Sequence, residues 1–156
     1  MICRGDGRLN CWRITKDTDE WTCFSEVGTK LEYEEYIITE EKYLEAIKTF
    51  WDETGVNQIY ITALEQWSDG VESQNARKSL SNIWIGKAIK IDELLQLAQH
   101  TLRNVCWCKV EIKNRFFVHF GYDYYMYIGT DRDCQKAIAK TQQSGLNVEE
   151  CLSPYK

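Results

Sequence analysis

His119 and Asp123 flank the tripeptide Phe120-Gly121-Tyr122, close enough for an imidazole and a carboxylate to meet across a tight turn. A carboxylate can orient an imidazole as a general base, or the pair can support the turn through a hydrogen bond. No Ser or Cys stands beside them in sequence, so support is the expected role and no catalytic residue is assigned. Tyr122, Tyr124, Tyr125 and Tyr127 crowd the same stretch. Each phenol hydroxyl needs a partner or water, and four so close together exceed the needs of a core. Residues 116–129 therefore read as a recognition surface, with His119 and Asp123 inside it. Trp67 stands out as a tryptophan in a polar stretch, where an anchor for a binding partner is one use of that side chain. Glu34 and Glu35 lie in the acidic first half.

These residues must be positioned by an α+β fold of one domain, 1–156. Aromatic and β-branched runs predict strands over 9–15, 21–27, 35–38, 58–64, 83–91, 105–112, 116–120, 124–128 and 146–152. The short connections 113–115 and 121–123 make the strands from 105 to 128 an antiparallel meander. Thr39 reads as the N-cap of a first helix, with Glu40 and Glu41 in its first turn, an apolar stripe over 43–54 and Gly55 as its stop. Asp92 caps a second helix that carries His100 near its end. A third runs from the Thr130/Asp133 capping pair to Gly145. Residues 65–81 lack periodicity and read as a long loop. The expected architecture is a largely antiparallel sheet with about three helices on one face. Tyr-Ile-Ile-Thr-Glu at 36–40 and Tyr-Ile-Gly-Thr-Asp at 127–131 each lead through a helix to a glycine and a strand, a pattern that reads as a pseudo-repeat of strand–helix–strand units.

Composition narrows the function classes. The hydrophobic share of 44% and charged share of 28% are those of an ordinary globular protein. No apolar run approaches the roughly 20 residues that span a bilayer, so no membrane association is expected. Residues 1–6 carry no apolar signal-peptide core, and the cytoplasm is the expected location. The seven cysteines are odd in number and irregular in spacing, which favours reduced, structural thiols. Cys106-x-Cys108 has no second knuckle, so neither a metal nor another cofactor is expected. The first 78 residues hold 16 acidic against 9 basic side chains, with no basic stripe for nucleic acid. Such a half suits a cationic partner, whose approach it accelerates.

In length, acidity, aromatic richness and lack of a catalytic constellation, the chain resembles immunity proteins of bacterial polymorphic and contact-dependent toxin systems. The stretch His119-Phe120-Gly121-Tyr122-Asp123-Tyr124-Tyr125-Met126-Tyr127 and the ending Ser153-Pro154-Tyr155 resemble those of small uncharacterised bacterial proteins. The resemblance implies a cytoplasmic, non-enzymatic inhibitor that binds a cognate toxin domain. The alternative is a small-molecule or peptide-binding domain that uses the aromatic hairpin at 116–128.

Overall fold

β-branched content predicts a strand over 35–38, yet in the computed structural model the chain is helical from Tyr33 to Thr54 (α1). The structure describes residues 9–16, 24–121 and 125–153. Burial explains the difference. Tyr36, Thr39, Glu40, Tyr43, Ile47, Phe50 and Trp51 are buried at helical spacing, so the stripe expected from residue 43 runs back about two turns. Thr39 is thus a buried mid-helix residue rather than an N-cap, and Glu40 is inside rather than in a solvated first turn. Gly55 ends the helix in the left-handed conformation, φ 79°, as its position predicts. With 36–40 helical and 127–130 extended, the two pseudo-repeat units do not correspond.

Strand β1 (Asn10–Lys16) precedes α1, and β2 (Ile59–Gln66) follows it. The stretch expected as a long loop forms two short helices, α2 (Ser68–Ser73) and α3 (Arg77–Leu80). Ala76 and Leu80 anchor them in the core, which polar neighbours conceal in the sequence. Only Ala88–Ile89 (β3) of the expected strand at 83–91 is extended. Trp84 and Ile85 instead occupy an exposed turn closed by the Lys87 N–H on the Trp84 carbonyl. Helix α4 (Ile91–Leu102) starts one residue before Asp92, and the Lys90 N–H donates to the Glu93 carboxylate at 3.3 Å. The meander β4 (Cys106–Ile112), β5 (Phe116–Phe120), β6 (Met126–Thr130) is present. Helix α5 (Gln135–Gln143) and β7 (Leu146–Glu150) complete the described chain. Thr130 does not cap α5. Its hydroxyl accepts from the Arg132 N–H at 3.2 Å and meets Thr54 Oγ1 at 2.9 Å, so it closes the preceding turn. Of the expected strand at 21–27, Phe24–Glu26 form a 3-10 turn and 21–23 lie outside the described residues.

The sheet runs β3-β2-β4-β5-β6-β1-β7, antiparallel throughout. Helix α1 packs against α4, α5 and the sheet. Trp12, Ile14, Ile61, Val110, Val118 and Ile128 point towards them into the main core. The result is a single-domain α+β fold with its three longer helices on one face. Among the described residues, no helix is long and apolar enough to cross a membrane.

Alternate strand positions face the other way. There Leu9, Cys11, Phe117 and Tyr127 form a second, smaller buried cluster. Gly129, the cross-strand neighbour of Phe117, leaves the room that this ring fills: a Cβ at 129 would fall 1.9 Å from the ring. Gly129→Ala should therefore displace Phe117 and destabilise the fold by about 1–3 kcal/mol, the usual cost of overpacking. Urea denaturation of the variant checks this, and wild-type stability would show that Phe117 does not fill the space above residue 129.

Candidate binding site

The aromatic hairpin was expected to offer an exposed face, but every residue of β5 and β6 is buried. On the side away from the helices, Leu9 and Cys11 pack with Phe117 and Tyr127, and the segment after β7 lies beside them. The Cys151 N–H donates to the Cys11 carbonyl at 2.9 Å, which continues the β7–β1 pairing by one step. The chain then crosses β1 and β6 on the side away from the helices and reaches β5, where Ser153 Oγ lies 2.8 Å from His119 Nδ1. This strap covers His119. His119 is fully buried, and Tyr127 retains only 6% of its exposure, so both stand behind the surface rather than on it.

The other His119 nitrogen, Nε2, lies 2.9 Å from Glu111 Oε2, and Thr62 Oγ1 donates to Glu111 Oε1 at 2.7 Å. Burial pushes the Glu111 carboxyl up. The hydrogen bonds from Thr62 and His119, with the charges of His119 and Lys109, outweigh it and hold the group below its ordinary value. A carboxylate only accepts, so Nε2 donates to Glu111, while Nδ1 bonds the Ser153 hydroxyl. Carboxylate, imidazole and hydroxyl thereby stand in the order of a catalytic relay. Catalysis also needs room for a reacting atom about 3 Å from the nucleophile. Ser153 is 7% exposed, and the Phe117 ring stacks on His119 at 4.2 Å. The arrangement is a clasp. Its Ser153 partner is 34 residues from His119, beyond the reach of local sequence reading. Asp123, the partner expected from sequence, lies outside the described residues together with Tyr122 and Tyr124.

Two residues singled out from sequence do meet. Trp67 and Tyr125 line one pocket of about 130 Å³ at the end of the sheet, with Trp107, Phe120 and Leu102. Trp67 is held by its N–H on the Val105 carbonyl at 3.0 Å. Gly70 lets α2 lie against that backbone, since a Cβ there would fall 2.2 Å from the Asn104 carbonyl oxygen. Trp107 donates its indole N–H to the Phe120 carbonyl at 2.6 Å. Tyr125 is 37% exposed, with the Arg13 guanidinium 5.0 Å from its ring centre. Trp107 is one of the lining residues that sequence reading missed. It alternates with the core cysteines Cys106 and Cys108, and that alternation was the available signal.

The first turns of α1 reach the same end of the sheet. Lys16, the last residue of β1, bonds Thr39 Oγ1 through its Nζ at 3.1 Å. Glu40 accepts two hydrogen bonds from Arg103, at 2.8 and 2.9 Å, and one from Gln99 at 2.9 Å. Arg103 follows α4 and lies 5.5 Å from the Phe24 ring centre. These ties leave Glu34 and Glu35 exposed in the first turn of α1, beside the half-exposed Tyr33. His100 lies in the last turn of α4. Burial first, and then the charge of Arg103, push its imidazole below the usual value against the weaker pull of Glu40. Cys106 and Cys108 both face the main core beside the Thr101 hydroxyl, and burial pushes the Cys106 thiol up to about 11. Among the described residues, no cluster of His, Cys, Asp and Glu side chains has a metal-holding arrangement. No protein-family model, curated protein or solved structure matches this chain.

Proposed function

We propose that this protein is a protein-binding inhibitor, an immunity protein that neutralises a cognate bacterial toxin domain in the cytoplasm. The observation that carries the reading is the convergence of Trp67 and Tyr125, far apart in sequence, on one pocket at the end of the sheet. Its volume of about 130 Å³ is well below the roughly 300 Å³ at which small-molecule sites begin, and it suits one inserted side chain. The exposed Glu34 and Glu35 at the same end favour a basic partner, such as a toxin domain that must itself attract phosphates. The alternative of a ligand site on the hairpin face has less support, because Phe117, His119 and Tyr127 are covered.

Titration calorimetry and stopped-flow binding with the product of the neighbouring gene, assayed as a toxin, test the proposal. A one-to-one complex and loss of toxin activity are expected. Trp67→Ala and Tyr125→Ala should each raise Kd about 30-fold, mainly through faster dissociation, as a hot spot worth about 2 kcal/mol requires. Charge reversal of Glu34 and Glu35 should instead slow association, with a deficit that shrinks as salt is added. A correctly folded protein that leaves the toxin domain unbound overturns the reading. A complex untouched by all four changes moves the interface elsewhere.

A further inference from the structure

Cys11 and Cys151 stand apart from the other described cysteines. Cys106, Cys108 and Cys134 belong to the main core beneath the helices. Cys11 and Cys151 lie on the opposite side of the sheet, where Cys151 packs against the smaller cluster that contains Cys11. The β1–β7 register pairs Trp12 with Glu150, so its next step sets Cys11 opposite Cys151. The Cys151 N–H donates to the Cys11 carbonyl at 2.9 Å, which holds the two backbones at neighbouring-strand distance. Opposed residues of antiparallel strands hold their Cα atoms about 4.5–5.5 Å apart, inside the range of roughly 4.4–6.8 Å that a disulfide spans.

We propose that Cys11 and Cys151 are a redox pair, joined by a hydroperoxide into a disulfide that staples the C-terminal strap to the sheet. Cys151 is half-buried whereas Cys11 is 3% exposed, so Cys151 meets the oxidant first. Its thiolate attacks one peroxide oxygen and breaks the O–O bond, giving a sulfenic acid and, after protonation, one water. The Cys11 sulfur then attacks the sulfenyl sulfur, the S–O bond breaks, and the hydroxyl leaves as a second water. In sum, two thiols and one hydrogen peroxide give one disulfide and two waters, with both sulfurs oxidised and the peroxide reduced. Burial raises the Cys151 thiol, as do Glu149 and Glu150, against the opposing effects of Cys11 and Arg13. The attack is therefore slow at neutral pH and quickens as pH rises. In a reducing compartment such a bond is transient, the pattern of redox sensing rather than of permanent structure.

The bond would lock a cover that is otherwise held at its far end by Ser153 on His119. The intact protein, exposed to hydrogen peroxide, alkylated and digested without reductant, provides the test by mass spectrometry. The expected product is a Cys11–Cys151 cross-linked peptide pair that a dithiol reverses, with a rate that increases in mildly alkaline buffer. Two fewer thiols should then titrate. Cys11→Ser should abolish the cross-link and leave Cys151 to oxidise further, to the sulfinic acid. A cross-link between other cysteines, over-oxidation of Cys151 in the unsubstituted protein, or a Cys151 that stays reduced would each overturn the assignment.

Discussion

Glu40→Ala is expected to destabilise the protein by about 3–5 kcal/mol, the cost of removing one partner of a buried ion pair. Glu40 is 1% exposed, and its carboxylate accepts from Arg103 Nε, Arg103 Nη2 and Gln99 Nε2 at 2.8–2.9 Å. The Arg103 side chain retains 18% exposure, so truncation of Glu40 leaves a guanidinium largely out of water with no anion beside it. The hydrogen bond that Arg103 donates to that carboxylate, against the opposing effect of burial, raises the affinity of Arg103 for its proton. Urea denaturation followed by circular dichroism measures the loss. The remaining charge, rather than the missing contact, is the main source of the penalty. The paired replacement Glu40→Leu with Arg103→Met should therefore recover most of it, as buried ion pairs exchanged for packed apolar groups commonly do. A Glu40→Ala protein within about 1 kcal/mol of wild type would place this pair among surface salt bridges, whose worth is of that size.

His119→Ala is the second large effect, at about 3 kcal/mol. Two hydrogen bonds disappear, the Ser153 hydroxyl and the Glu111 carboxylate each lose a partner, and the Phe117 ring loses its stacked neighbour. The same substitution distinguishes a clasp from a catalyst. Unchanged stability with loss of a measurable hydrolytic turnover would make the Ser153–His119–Glu111 chain an active site. The clasp also carries a pH signature. Because the folded protein holds Glu111 below its ordinary value of 4.5, the unfolded chain binds more protons in that region. The Glu111 contribution is accordingly complete above about pH 4.5 and lost as pH falls through the lower, folded value. Glu111→Gln should flatten this acid-side decline in denaturation experiments run from neutral to acid pH, and an unaltered decline would place its source in other carboxylates.

The sequence by itself determined those elements whose signals are local. The meander over β4, β5 and β6 was legible because short turns join runs of aromatic and β-branched residues. The stop at Gly55 was legible because a left-handed helix end favours glycine. It also marked Trp67, as a tryptophan in a polar stretch, and Tyr125, as one of four crowded tyrosines. Tertiary structure decided the rest. Whether Tyr36-Ile37-Ile38-Thr39 became strand or helix depended on what lay beneath it, and burial of Tyr36, Thr39 and Glu40 against α4 and the sheet outweighed β-branched propensity. Polar residues hid α2 and α3 because two buried side chains, Ala76 and Leu80, sufficed to anchor them. The hairpin read as a surface because alternation reveals two faces of a strand but not what lies on either. Only the insertion of β1 between β6 and β7 set Leu9 and Cys11 beside Phe117 and Tyr127 as a second core and brought Ser153 to His119. Contacts such as Ser153 with His119 and Glu40 with Arg103 join segments 34 and 63 residues apart. No periodicity within one segment records a partner that far away, because the pairing is set by the order in which the strands lie in the sheet.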